Sequence, residues 1–158
     1  MGVGCYLRMN PDNRLLVRVV TPLGVAVDDR AEAVAMWTAM GEIEVLPGHA
    51  PTVVVLEPGE LRVWDGTGQA RIFAGGAGFA RIEGGAVTIF SDMADDMAGI
   101  ELDQAEEAKR RAEIAVSDAA HLTADEREAA DLAMQESVVK VQILLRRKDR
   151  GAGGSTLR

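Results

Sequence analysis

The stretch EVLPGHAPTVVVLEPGELRV (44–63) decides the fold. Its apolar run TVVVL (52–56) is shorter than the roughly ten to twelve residues a globular helix needs. Its valines are β-branched and suit a pleated surface. PGHAP before it and EPG after it are turn chemistry, because proline restricts φ and glycine opens conformations closed to other residues. The stretch therefore reads as strand, stiff loop, strand, turn, strand.

The same grammar extends both ways along the chain. LLVRVVT (15–21), VAVD (25–28), EAVAMWT (32–38) and EIEVL (42–46) precede the central run. ELRVWD (60–65), QARIFA (69–74), GFARIE (78–83) and AVTIFS (86–91) follow it. Short strands with Gly and Pro punctuation predict an antiparallel β-sandwich or barrel. Leu61 and Val63 alternate with Glu60 and Arg62, and Ala80 and Ile82 with Arg81 and Glu83, so one face is buried and the other wet or docked. TVVVL does not alternate. It is either covered on both faces or part of an interface.

After DMADDMAG (92–99), whose carboxylate run DMADD (92–96) reads as a solvated linker, the period changes to helical. Asp103 is the expected N-cap of a first helix whose small-residue face is Ala105, Ala108, Ala112, Ala115 or Val116, and Ala119. Glu106–Arg110 and Glu107–Arg111 are spaced as i,i+4 ion pairs. Thr123 and Glu126 form a capping box at the start of a second helix, with a stripe of Ala130, Met134, Val138, Val141 and Leu145. Arg146, Arg147 and Lys148 close that helix, where positive charge suits the dipole. Two helices joined by AHLTA make an antiparallel hairpin. The fold class is mainly β plus α: a sandwich of about ten short strands, then a two-helix hairpin. The expected divisions are an N-terminal extension at 1–13, the sandwich at 14–97, the hairpin at 98–148 and a disordered tail at 149–158. Met9 opens an alternative start, which makes the first eight residues a variable lead.

Composition narrows the function. The net charge of −8 disfavours nucleic-acid binding, whose affinity comes largely from Lys and Arg on phosphates. The single cysteine, Cys5, excludes an intrachain disulfide. No apolar run approaches the roughly 20 residues of a membrane-spanning helix, and no cleavable leader is visible, so direct membrane insertion and export are not expected.

Chemistry is sparse. His49, His121 and Cys5 lie in separate segments without metal-ligand spacing, so no metal site is expected. No serine sits in a nucleophile elbow. GGAGFAR (75–81) lacks both the Lys-Ser/Thr of a phosphate loop and a following helix, and reads as a hairpin turn needing positive φ. No catalytic residue and no cofactor are expected. A stiff sandwich with an amphipathic hairpin looks like an adaptor.

The residues also resemble a known family. GEIEVLPGHAPTVVVLEPGELRV (41–63), FAGGAGFARIEGGAVTIFSDMA (73–94) and LDQAEEAKRRAE (102–113) are similar to the epsilon subunit of the F-type rotary ATP synthase. The resemblance covers about residues 14–148. It implies a non-catalytic rotor subunit of a proton-translocating complex, peripheral at the cytoplasmic face of a bacterial plasma membrane. Its implied partners are the gamma subunit, the c-ring and, through the hairpin, the alpha and beta subunits. Glu42, Ile43, Glu44 and His49 are then the candidate docking residues, with His49 bonding either a partner carbonyl or its own turn. Arg146, Arg147 and Lys148 are the candidate contacts to the catalytic head, and the hairpin a candidate inhibitor. Family members that sense ATP carry arginines on both helices. Glu106, Gln135 and Glu136 stand there in this chain, so no ATP binding is expected, because carboxylates repel phosphate. The alternative is a free-standing β-sandwich adaptor or ligand-binding protein.

Overall fold

The computed structural model describes residues 13–118 and 122–153, with side chains to 149. Cys5, Ala119, His121, most of the N-terminal extension and 154–158 lie outside the described residues. The chain divides into two compact units, 1–96 and 97–158.

The first unit holds ten strands. They are β1 (Leu15–Thr21), β2 (Gly24–Ala31), β3 (Ala33–Thr38), β4 (Gly41–Val45), β5 (Thr52–Leu56), β6 (Gly59–Trp64), β7 (Ala70–Gly75), β8 (Gly78–Glu83), β9 (Ala86–Ser91) and β10 (Ala94–Asp96). One layer runs β10-β7-β6-β3, with β4 on the far side of β3. The other runs β5-β8-β9-β1-β2. The layers join at a corner where Thr38 of β3 pairs with Leu56 of β5. β1 and β9 pair in parallel, and the other pairings are antiparallel.

The core lies between the layers. Val34, Met36, Leu61, Val63 and Phe73 from one side meet Leu15, Val17, Val19, Ala80, Ile82, Val87 and Ile89 from the other. Most of these are aliphatic, and valine and isoleucine supply the bulk that the few aromatics do not. Strict alternation does this: Leu15, Val17 and Val19 are buried while Leu16 and Arg18 are exposed. A one-residue slip would turn every one of those side chains outward.

Two expectations for this unit are corrected. The segment read as a solvated linker contains β10, which pairs with β7 through Ala94↔Gly75, Asp95↔Ala74 and Asp96↔Phe73. Aspartates have poor strand propensity, but the open edge of β7 supplies the backbone partners. Arg71 adds an ion pair to Asp96 at 3.3 Å. The 75–78 segment is not a hairpin turn, because β7 and β8 do not pair; Gly78 has φ +159°, while Gly76 serves close approach, since a Cβ there would collide with the Asp92 carboxylate.

The second unit holds α1 (Leu102–Ser117) and α2 (Ala124–Gly153). The N-cap of α1 is Glu101, not Asp103, and Glu101 makes no side-chain capping bond; Asp103 sits in the first turn, where its charge still suits the dipole. The capping box on α2 is present. Thr123 N–H donates to Glu126 Oε2 at 2.8 Å, and Glu126 N–H to Thr123 Oγ1 at 3.3 Å. Those bonds from the Thr123 backbone and hydroxyl hold the Glu126 carboxyl below its ordinary pKa.

On α1, Ala105 and Ala112 are buried as expected, but the ion pair formed is Lys109–Glu113 at 3.4 Å rather than Glu106–Arg110 or Glu107–Arg111. Exposed pairs of this kind are nearly equal in energy, so rotamer entropy decides among them. On α2 the buried positions are Ser137, Val139, Val141, Ile143 and Leu144. Leu145, expected in the stripe, is exposed, and Val138 is half-buried. The stripe therefore sits off the expected register. α2 also continues through 149–153, expected to be disordered; no proline stops it, and a glycine weakens a helix by only about 1 kcal/mol.

Candidate functional site

The loop between β4 and β5 is built as its sequence demands. Gly48 has φ +87°, which a side chain would strain, and the prolines at 47 and 51 stiffen both ends. The backbone N–H of His49 donates to Leu46 O at 3.1 Å and closes the turn. The His49 ring lies 2.8 Å from Ala50 O through Nδ1. A carbonyl only accepts, so Nδ1 carries the proton. The imidazole thus bonds its own loop, at an exposed position. Of the two expectations for His49, the bond to its own turn is formed, from Nδ1 to Ala50 O.

β4, leading into that loop, pairs only with β3. Ile43 and Val45 point to the core, while Glu42 and Glu44 are exposed on the outer face. The structure thus places Glu42, Glu44 and His49 outside and turns Ile43 inward. Glu42 is held by an ion pair to Arg62 of β6. Glu60, on the face expected to be wet or docked, is 2% exposed and lies 3.5 Å from Arg62 Nε.

A larger feature is formed by residues that no motif marks. On the outer face of the β5-β8-β9-β1-β2 layer, Val55 pairs with Phe79, Phe79 with Phe90, Phe90 with Val20, and Val20 with Val25. These five side chains make one apolar row across five strands, about 19 Å at the usual strand spacing. Val55 is 66% exposed, Phe79 47%, Phe90 40% and Val25 57%. The Phe79 and Phe90 rings stack with centroids 4.9 Å apart. Leu23, at the β1–β2 turn, extends the row into solvent. The next row starts with the exposed Val53 and is otherwise polar: Arg81 forms an ion pair with Glu83, and Arg18 with Asp28 at 2.7 Å, which raises the Arg18 pKa. An exposed apolar patch with a polar rim is the usual mark of a docking surface. The one sequence signal for it is TVVVL, whose second and fourth residues, Val53 and Val55, face outward.

In the helical unit, Arg146, Arg147 and Lys148 are all exposed. Because α2 runs on to Gly153, they lie before its last turn, and dipole compensation no longer accounts for them. Arg147 and Lys148 line a cleft with Leu144 and the 97–103 segment that opens α1. The positions weighed for ATP do not converge. Gln135 lines a groove along α2, whereas Glu136 lines another with Arg111, Ser137 and Lys140, and Glu106 lines neither. Among the described residues there is no group of three His, Cys, Asp or Glu side chains fit for a metal ion. No helix among them is long and apolar enough to cross a membrane.

Known proteins share this arrangement. Residues 14–96 match the family described as ATP synthase, Delta/Epsilon chain, beta-sandwich domain. The chain is 30% identical to the ATP synthase epsilon chain of Levilactobacillus brevis over 131 residues, covering 82% of this chain and 93% of that one. It is 33% identical to the epsilon chain of Bacillus mycoides over 128 residues, covering 80% and 93%. A chain of the Euglena gracilis mitochondrial ATP synthase, in an OSCP/F1/c-ring structure, has the same fold with a TM-score of 0.60 and 21% identity, over 87% of this chain and 81% of that one. The family match covers the sandwich, and the relatives and the shared fold extend into the helical unit: the chain belongs to the ATP synthase delta/epsilon chain family.

Proposed function

We propose that this chain is a non-catalytic rotor subunit of a rotary ATP synthase, joining the gamma shaft to the membrane c-ring during proton-driven ATP synthesis. The observation that carries the reading is the apolar row from Val55 to Val25, a docking face on a rigid sandwich. The row suits the shaft, because a torque-bearing contact needs a rigid apolar centre. Glu42, Glu44 and His49, polar and fixed by a stiff loop, suit the polar loops of a ring. Rigid display lowers the entropy cost of docking. The complex is membrane-associated, and this subunit is peripheral to it, at the cytoplasmic face of a bacterial plasma membrane. The bacterial relatives support that placement.

Arg146, Arg147 and Lys148 are proposed to meet acidic segments of the alpha and beta subunits when the hairpin regulates the head. Truncation after residue 98 then raises the ATPase rate of the assembled enzyme; an unchanged rate leaves the hairpin a prop. ATP is not proposed as a ligand, because Glu106, Gln135 and Glu136 stand where ATP-sensing members carry arginines, and they line no common groove. Micromolar binding by calorimetry would overturn this.

The deciding experiment is reconstitution with purified gamma subunit and c-ring. The wild-type chain co-elutes with them. Phe79→Asp with Phe90→Asp keeps its β circular dichroism and loses at least a hundredfold in affinity. Full retention of binding would remove the row from the interface, and no binding by the wild type would remove the function.

A further inference from the structure

Two separated parts of the 41–63 stretch meet in space. Gly41–Glu42 opens β4, and Arg62 lies on β6 after the second Pro-Gly turn. β3 runs between them. Ala35 of β3 is the register partner of Arg62 on one side and of Glu44 on the other, and Trp37 pairs with Glu42. Ala35 offers only a methyl group at the crossing, so the guanidinium can lie over β3 and reach Glu42 on the far strand. Behind it, Arg62 Nε is 3.5 Å from the buried Glu60 carboxylate. Its guanidinium carbon lies 5.2 Å from the centre of the Trp64 ring, a cation–π contact. Arg62 is therefore held from three sides, and only one of its partners, Glu42, belongs to the edge strand.

β4 needs such a tie. It has one strand neighbour, five residues and a glycine at its start, and an edge strand of that kind frays readily. It also carries Glu44 and leads into the His49 loop. We infer that Arg62 is a positioning residue for the docking edge: it straps β4 across β3 through Glu42, so that Glu44 and His49 meet the partner already ordered. Glu42 is then part of the strap, with its carboxylate committed to Arg62, and direct partner contact falls to Glu44 and His49. This rests on the docking role proposed above for that edge.

The test measures two things on the full chain: amide hydrogen exchange strand by strand, and affinity for the purified gamma–c-ring assembly. Arg62→Ala should speed exchange in β4 at least tenfold while β8 and β9 keep their protection. Affinity should fall by a similar factor. Glu42→Gln, nearly isosteric and at an exposed position, should reproduce both effects, and the double variant should add nothing. Arg62→Lys should restore little, because an ammonium lacks the flat guanidinium face that lies over Trp64 while reaching Glu42. Glu44→Gln should weaken binding without loosening β4. Unchanged β4 exchange in Arg62→Ala and Glu42→Gln, or equal loosening of β8 and β9, overturns the strap. Selective loosening of β4 with undiminished affinity leaves the strap standing and overturns the docking role of the edge.

Discussion

The two units are stabilised in different ways. The sandwich has a closed aliphatic core drawn from both layers, in which twelve of its sixteen members are Val, Leu or Ile. The hairpin buries only alanines on α1, and on α2 a short run ending in Ile143 and Leu144. A hairpin with so small a buried set depends more on its caps and helix propensity. The lesson is a division of labour: the unit proposed to bear torque is held by packing, and the unit proposed to regulate is held by a smaller buried set.

Spectroscopy can separate the two. Both tryptophans, Trp37 and Trp64, lie in the sandwich, while the helical signal near 222 nm belongs mainly to the hairpin. Phe73→Ala should cost the sandwich about 3–5 kcal/mol, because Phe73 is buried and leaves a cavity. Tryptophan fluorescence in urea should show an early transition. A variant with an unmoved midpoint would mean that the core is not where the layers place it.

Thr123→Ala should act on the other unit by about 1 kcal/mol, the usual worth of a cap. Helicity should melt earlier in a thermal scan, with the fluorescence transition unmoved. Equal shifts in both probes would show the units unfolding together and would break the comparison.

Acid gives a smaller effect. The Glu126 carboxyl titrates below its ordinary value in the folded hairpin. Its contribution is present above the unfolded value, near 4.3, and is lost as pH falls through the lower folded value. Helicity should therefore weaken below about pH 4.3 in the wild type, and less so in Glu126→Gln, which has no proton to gain there. The smallest effect belongs to the exposed Arg18–Asp28 pair. Asp28→Asn should leave the urea midpoint at physiological salt within error, since surface ion pairs contribute little.

Much of this was readable in the residues. β1, β5 and β9 run as their β-branched sequences predict and β8 as its alternation predicts, and PGHAP gives a stiff loop with Gly48 at positive φ. The Thr123–Glu126 box starts α2 as its spacing predicts. What was not readable has one pattern. β10 is made of residues with poor strand propensity and exists because β7 offered an open edge. The α2 stripe sits off its expected register because its apolar residues are dense enough to satisfy more than one face. His49 spends Nδ1 on its own loop, which spacing cannot show.

The sequence by itself determined the period of each segment, the places where the chain must turn, and the family. These follow from local sterics and hydrophobic alternation, which act within a few residues. Only the tertiary structure decided that Val55, Phe79, Phe90, Val20 and Val25 form one row, and that Arg62 reaches Glu42. Those residues come from strands far apart in the chain, and cross-strand register, set by how the whole core packs, is what brings them together.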